Sequence, residues 1–120
     1  MAKKGSDLKE RLERYQQIKL TVIGRKSGHK ITVPVWFVMD DEKMYLLPVR
    51  GSDTQWYHNI LKNPSIWVDA RGEQAEFRAV PVGEAESVNS IVSKFRDKYG
   101  AGEVKKYYSK FDVAVLARAV

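Results

Sequence analysis

The sequence contains no cysteine and only two histidines, His29 and His58, and these shortages exclude several kinds of chemistry. Without a thiol, the chain has no disulfide, no thiolate nucleophile and no cysteine-ligated zinc or iron–sulfur site. Two histidines are too few for a multi-histidine metal centre. The sequence also lacks the run of about 18 apolar residues that a membrane-spanning helix needs, and its polar start contains no signal-peptide core. We therefore expect a soluble, cytoplasmic protein.

The composition is that of an ordinary globular domain. Of the 120 residues, 43% are hydrophobic and 11% aromatic, which argues against a disordered or fibrous chain. Domains usually hold about 100 to 150 residues, so we expect a single domain over residues 1–120. Lysine and arginine number 21 against 15 aspartates and glutamates, which leaves a net charge of +6. That charge favours phosphates, nucleic acid or an anionic membrane surface without choosing among them.

Hydrophobic periodicity and turn residues predict six strands and four helices. The helices are an N-terminal one over about 7–17, a two-turn helix opened by the capping-box pattern Ser52–Gln55, a helix from about Glu84 that ends at Gly100, and a shorter one over 102–109. The strands, rich in β-branched and aromatic residues, span 18–23, 30–39, 44–49, 65–70, 73–82 and 111–119.

Several of these strands are apolar on both faces. In the second strand Val33, Val35 and Phe37 share one face, yet Trp36 and Val38 make the other face apolar too. This pattern predicts a mainly β protein with flanking helices, an α+β fold built on a small six-stranded barrel whose outer wall is also covered. We expect a second subunit to provide that cover. Pro34 and Pro48 cannot donate to a sheet ladder, so each should mark a bulge, a strand end or an edge.

The segment Gly24–Gly28, with the sequence GRKSG, is the clearest candidate for a ligand site. Two glycines permit a tight turn whose backbone N–H groups can bind an anion, while Arg25 and Lys26 add positive charge and Ser27 adds a hydroxyl. These features favour phosphate. By composition alone, however, a basic glycine-containing hairpin turn is more often merely solvated. The phosphate loop of nucleotide hydrolases is absent because the order and spacing of the glycines differ.

A second anion-favouring turn, Arg50–Ser52, precedes the helix that contains Trp56, so free N–H groups at the helix start present partial positive charge. A capped helix without a ligand is the simpler explanation. The tryptophans and tyrosines around it are able to stack on a planar ring, although aromatic residues usually fill a core.

Other polar groups carry weaker signals. His58 is a candidate proton donor, but a lone histidine on a short helix is usually a surface or hydrogen-bonded residue. The acids Asp69, Glu73 and Glu76 lack a matching base, so neither a glycosidase pair nor a hydrolytic triad is indicated. The segment 105–110 interleaves lysines with tyrosines, as a single-strand-binding surface does, and a solvated helix explains it as well.

Four segments in order resemble the deazaflavin-dependent nitroreductase family, which has the split β-barrel fold of FMN-binding proteins. They are Thr21–Gly28, Val33–Val35, Met44–Gly51 and Trp56–Asn59, the last followed by Asn63 and Pro64. The match covers about residues 18–82. The joint order of GRKSG, the internal proline and WYxN is far more specific than any one of them.

The resemblance implies an oxidoreductase that passes hydride from a reduced cofactor to a quinone, a nitroaromatic or a similar small conjugated acceptor. The cofactor would be coenzyme F-420, an 8-hydroxy-5-deazaflavin, or FMN, and the protein a homodimer. Carried over by position, the cofactor-binding residues fall in three groups: Arg25, Lys26 and Ser27 at the phosphate, Val49, Arg50, Gly51 and Ser52 beside the ring system, and Trp56 packed near it. No catalytic side chain is assigned, because the reduced cofactor carries the hydride. Charge stabilisation by Arg50 and proton donation by Tyr57 are hypotheses that do not follow from spacing.

One departure from the family pattern concerns the phosphate. Members often have an arginine where this chain has Ile31, preceded by Lys30, so one phosphate contact is expected to be missing. Two alternatives to a reductase stay open at this point: a flavin- or deazaflavin-binding protein without catalysis, and, with less support, a basic barrel that binds nucleic acid.

Overall fold

The computed structural model describes residues 17–41 and 43–120, and these contain one antiparallel sheet. Its strands are β1 Ile18–Ile23, β2 Lys30–Val35, β3 Phe37–Asp40, β4 Lys43–Leu46, β5 Ser65–Ala70, β6 Glu73–Val82 and β7 Ala114–Ala119. The helices are α1 Gln55–Lys62, α2 Ala85–Tyr99 and α3 Ala101–Tyr107, and Gly51–Asp53 form a single 3₁₀ turn.

The strand order is β2-β1-β5-β6-β7-β4-β3, and its two outermost strands are consecutive in the chain. Only Trp36 separates β2 from β3. The sheet therefore curls round until its edges meet at this residue, as a split β-barrel requires. The predicted barrel is confirmed, with one difference: the strand expected over 30–39 is divided in two at Trp36, so the sheet has seven strands rather than six.

Where the strand predicted over 30–39 divides, side chains of α2 form the backbone hydrogen bonds that a neighbouring strand would otherwise form. The Tyr99 hydroxyl accepts a hydrogen bond from the Phe37 amide at 3.1 Å and donates to its carbonyl at 2.9 Å. Burial raises the pKa of Tyr99 to about 12, so the hydroxyl keeps the proton that it donates. The Lys98 Nζ donates to the same carbonyl at 2.9 Å. The Trp36 indole stacks on Tyr99 with ring centroids 4.1 Å apart, which fixes the break in the strand.

The larger hydrophobic cluster lies inside the curved sheet. Alternate residues of β1, namely Ile18, Leu20 and Val22, point into it and are almost fully buried, as period-two alternation predicts. The α1 helix closes one side of this cluster with Trp56, Tyr57 and Ile60. Because α1 packs on the barrel through these side chains, its first turn is held beside the turn that joins β1 to β2.

A second cluster explains why β3 and β4 are apolar on both faces. Val38 and Leu47 pack outward against a buried stripe of α2 and α3 whose members are Val88, Ile91, Val92, Phe95 and Val104. The expectation that a second subunit covers this face is wrong, because the chain covers it with its own helices. The signal was present in the apolar stripe of α2, which needs a surface to pack on.

Element boundaries differ from the predictions in a few places. The capping box at Ser52 is wrong: the helix begins at Gln55 with Thr54 as its N-cap, and no side chain caps it. The third strand ends at Leu46, before Pro48, and the last begins at Ala114. Pro34 lies on the outermost strand β2, as its missing N–H predicts. The predicted N-terminal helix falls, apart from Gln17, outside the described residues. No helix in the described ranges is long and apolar enough to cross a membrane.

The β5–β6 turn offers a clean test of the backbone. Arg71 and Gly72 both have positive φ, 55° and 94°, as a two-residue hairpin turn of type I′ requires. We expect Gly72→Ala to lower the free energy of unfolding by about 1–2 kcal/mol, the cost of the left-handed region for an L-residue. Gly83→Ala is the matched control, because a Cβ at either glycine meets nothing within 4 Å and only Gly72 has positive φ. Equal urea midpoints for the two variants would contradict this account.

Candidate functional site

The β1–β2 turn is compact because its backbone is closed by short hydrogen bonds. The Gly24 amide donates to the His29 carbonyl at 2.8 Å, and the Gly28 amide donates to the Gly24 carbonyl at 2.9 Å. Gly28 has a φ of 76°, which only glycine adopts without strain. The Ser27 hydroxyl accepts from the His29 amide at 3.1 Å. The exposed Lys26 is therefore displayed at the tip of a fixed loop.

The side chain of Asn59, on α1, binds this turn to the helix. Its Oδ1 atom accepts from the Arg25 backbone N at 3.0 Å and from the Arg25 Nη1 at 2.8 Å. The guanidinium also donates from Nη2 to the Gln55 Oε1 at 2.8 Å. Asn59 is 5% exposed and both of its bonds to Arg25 are partly buried, which strengthens them relative to bonds in water. Arg25 consequently uses several of its hydrogen-bond donors to hold the turn against α1.

A second turn approaches from the other side of α1. The Arg50 amide donates to the Thr54 hydroxyl at 2.8 Å, and the Gly51 amide donates to the Pro48 carbonyl at 3.0 Å. The Thr54 hydroxyl accepts from Arg50 and forms no cap hydrogen bond with α1. The first N–H groups of the helix, at the positive end of its dipole, are therefore not capped by the Thr54 side chain.

Between the two turns lies a cavity of about 550 Å³, here called the basic cavity, which is within the usual range for small-molecule sites. One wall is polar and cationic, with Arg25, Lys26 and Arg50, and no acidic residue is among the described residues that line it. The apolar part of the lining consists of Ile31, Val33, Val49 and Trp56. Ile31 and Val49 are each 42% exposed, a cost in free energy that a bound apolar ring would remove.

A neighbouring cavity of about 570 Å³, the aromatic cavity, shares Val33, Val49 and Trp56 with the basic cavity. Its other walls include Trp36, Tyr107 and Tyr108, with Glu103 at one side. The Tyr107 ring meets Trp36 edge-on at 5.5 Å, and Tyr107 is 52% exposed. The two cavities therefore share an apolar wall.

The structure brings most of the predicted cofactor residues together. Six of the eight line the basic cavity: Arg25, Lys26, Ser27, Val49, Arg50 and Trp56. The other two, Gly51 and Ser52, lie behind the wall and contact the C-terminal segment instead. The Ser52 amide donates to the Asp112 Oδ1 at 2.9 Å, and its hydroxyl donates to Oδ2 at 2.5 Å.

Other candidates lie away from both cavities. Lys30 is placed over the Trp67 ring at 4.3 Å, so it does not replace the arginine that the family often has at position 31. Tyr57 is buried in the barrel, and burial, followed by the charge of Asp112, raises its pKa. Neither cavity includes Tyr57 or His58 in its wall. In the lysine–tyrosine segment Tyr108 is 5% exposed, whereas Tyr107 is 52% exposed and lines the aromatic cavity.

Sequence reasoning missed three features of the site. The role of Asn59 was hidden, although its spacing of three from Trp56 places both on one side of α1. The bonds of Asp112 to Ser52 join positions 60 apart and leave no local pattern. The aromatic cavity combines Trp36 with Tyr107, which only the packing of α3 over the strand break brings together.

Comparisons with known proteins identify the family of the chain. The family model described as "F420H(2)-dependent quinone reductase" matches residues 1–116. The chain belongs to that quinone reductase family. The sequence predicted a flavin- or deazaflavin-dependent oxidoreductase, and the family match supports deazaflavin-dependent reduction. No curated protein matches the chain significantly.

Solved structures show the same fold in relatives of this quinone reductase family member. An F420-H2 dependent reductase is 21% identical with a TM-score of 0.68, over 86% of this chain and 94% of its own. A domain-swapped dimer is 20% identical with a TM-score of 0.68, over 94% and 95%. A putative pyridoxamine 5'-phosphate oxidase from Listeria innocua is 12% identical with a TM-score of 0.69, over 96% and 91%. These likenesses confirm the split β-barrel.

The contacts of Asn59 predict which substitutions loosen the cavity. Asn59→Ala removes the acceptor of two Arg25 donors and leaves them poorly paired, so we expect a loss of about 1–3 kcal/mol in the free energy of unfolding. Gln55→Ala is the control, because its bond to Arg25 is exposed and should contribute less than about 1 kcal/mol. Urea titration of both variants measures this difference, and an equal loss would show that burial of the Asn59 carboxamide adds nothing.

Proposed function

We propose that the protein binds reduced coenzyme F-420 in the basic cavity and passes its hydride to a quinone or a similar conjugated acceptor in the aromatic cavity. The observation that carries the proposal is the pairing, within one cavity, of three cationic side chains with an exposed apolar wall. This combination suits a molecule with a phosphate at one end and a tricyclic ring at the other. When bound, the reduced cofactor supplies the hydride, and the chain supplies orientation, charge and exclusion of water.

For the phosphate, the proposed ligands are Lys26, Ser27 and Arg25. The turn that contains them is fixed before any ligand arrives, so little conformational entropy is lost on binding. Lys26 contributes a point charge, and Ser27 contributes a hydroxyl at the mouth of the same cavity. Arg25 also donates a hydrogen bond to Asn59. We therefore assign to Arg25 a long-range electrostatic attraction for the phosphate, together with hydrogen bonds from the N–H groups that its protein partners do not use.

For the ring system, the proposed surface is Val49, Trp56 and the backbone of Arg50–Ser52. Val49 is exposed and Trp56 lies in the wall common to both cavities, so a ring against them would face the acceptor. Arg50 lines the basic cavity, where its charge would stabilise negative charge on the ring or acceptor as hydride moves. Tyr57 is not assigned as proton donor, because it is buried away from both cavities.

Of the two cofactors that the sequence allowed, we propose the deazaflavin rather than FMN. The quinone reductase family to which the chain belongs is defined by the deazaflavin, and no comparison supports FMN. A titration that follows tryptophan fluorescence with each cofactor in turn decides the matter, since Trp56 lies in the cavity wall. Micromolar affinity for FMN with none for F-420 would overturn this choice.

We also propose that two copies of this single-domain chain associate and act in the cytoplasm. One related structure is a domain-swapped dimer, which supports association in this fold. The surface that would pair is not the outer face of β3 and β4, because α2 and α3 cover it. Sedimentation at micromolar concentration tests the dimer directly, and a monomer would remove it.

Lys26 offers the sharpest test of the phosphate site, because it has no structural bond in the described residues that its loss would break. We expect Lys26→Ala to weaken F-420 binding about 10- to 100-fold, through a lost charge-assisted hydrogen bond of about 1.5–3 kcal/mol. Lys62→Ala is the control: it removes the same charge from α1, but Lys62 lines neither cavity. Dissociation constants from fluorescence titration give the comparison. Equal weakening in the two variants would mean that only net charge matters.

Tyr107 tests the acceptor site. We expect Tyr107→Ala to raise the KM for a quinone about 5- to 10-fold through lost stacking of about 1 kcal/mol, while the Kd for F-420 stays unchanged. Leu61→Ala is a matched control, since Leu61 and Tyr107 are each 52% exposed and only Tyr107 lines the aromatic cavity. Steady-state kinetics with a soluble naphthoquinone measures both. A KM that moves equally in the two variants would contradict the assignment.

A further inference from the structure

Behind the basic cavity, the segment that follows α3 binds the turn 50–53 through a dense set of contacts. The Asp112 carboxylate accepts the amide and the hydroxyl of Ser52, one on each oxygen. The Ser109 amide donates to the Val49 carbonyl at 2.9 Å. Lys110 pairs with Asp53 at 3.2 Å and lies 3.7 Å from Asp112. Nothing in the family resemblance assigns a role to this segment.

Gly51 shows how closely the carboxylate approaches the turn. It has a φ of 54°, and a Cβ placed on it would collide with the Asp112 Oδ1 and come within 3.0 Å of the Lys110 Cγ. A side chain at this position is therefore excluded twice, by backbone conformation and by the neighbouring carboxylate. The hydrogen bonds from Ser52 also hold the pKa of Asp112 below its usual range, since they favour the ionised form.

We propose that Asp112 is a positioning residue: its carboxylate fixes the turn 50–53 and thereby holds Arg50 and Val49 in the wall of the basic cavity. Asp112 itself does not line that cavity. It acts through Ser52, whose two donors turn away from the cavity toward it. The predicted effect of Asp112 on cofactor binding rests on the function proposed above, whereas its predicted effect on the turn 50–53 does not.

Asp112 could affect the site as a negative charge or as a positioning group, and the two roles predict opposite changes in cofactor affinity when it is removed. If Asp112 acted only as a negative charge near an anion site, its removal would strengthen the binding of an anionic cofactor. If it positions the turn, removal weakens binding. Asp53→Asn is the matched control, because Asp53 carries the same charge on the same turn and accepts from Lys110 rather than from Ser52, and an asparagine oxygen still accepts from Lys110.

The experiment measures F-420 affinity by fluorescence titration for Asp112→Asn, Asp112→Ala and Asp53→Asn. We expect the Kd to rise about threefold for the asparagine variant, which keeps one acceptor, and about tenfold for the alanine variant. We expect it to stay level or fall for Asp53→Asn. Tighter or unchanged binding by Asp112→Asn would overturn the proposal, and this variant preserves the shape of the side chain if the alanine variant folds poorly.

Hydrogen exchange provides a readout that needs no cofactor. In Asp112→Ala the amide of Ser52 should exchange about tenfold faster or more than in the unaltered protein, while amides of β5 keep their protection. Unchanged exchange at Ser52 would overturn the proposal whatever the binding data show. If the unaltered protein binds no F-420, the proposed function fails, and the exchange data alone decide whether Asp112 fixes the turn.

Discussion

The interaction on which the site depends is the pair of hydrogen bonds that the buried Asn59 carboxamide accepts from Arg25. It joins the basic turn of β1–β2 to α1, and α1 is in turn fixed to the barrel by Trp56 and Ile60. Without this connection, the β1–β2 turn would be free to move relative to α1. With it, that turn and the turn 50–53, which the segment after α3 holds separately, lie on two sides of one cavity that is also lined by apolar residues of the barrel. Folding therefore fixes the positive charge of the cavity before a ligand binds, so binding requires little reorganisation of these groups.

The break of the long strand at Trp36 adds the second half of the site. The Tyr99 hydroxyl satisfies both backbone groups of Phe37, so the chain can leave one edge of the sheet and join the other without an orphaned hydrogen bond. The end of α2 leads into α3, which brings the Tyr107 ring edge-on to the half-buried indole of Trp36. One packing arrangement thus closes the barrel and forms the aromatic cavity beside the basic one. The two cavities meet at Val33, Val49 and Trp56, where a donor and an acceptor of hydride would be in contact.

The resemblance assigned eight cofactor-binding residues, and six of them line the basic cavity. Sequence reasoning from the residues themselves located the GRKSG turn, because its glycines and charges lie within five consecutive positions. It failed where a residue's function depends on a distant partner. The periodicity of β3 and β4 showed that both faces are apolar, but it could not show that α2 rather than a second subunit covers one of them. Ser52 looked like a helix cap because its spacing to Gln55 fits one, whereas its hydroxyl bonds to Asp112, 60 residues away.

A crystal structure of the protein grown with coenzyme F-420 tests the central claim most directly, since the claim concerns where one ligand lies. The account predicts the phosphate within hydrogen-bonding distance of Lys26 and Ser27, the ring system against Val49 and Trp56, and Arg25 still bonded to Asn59. A cofactor bound elsewhere, or one in the cavity with its phosphate turned away from the β1–β2 turn, would contradict it.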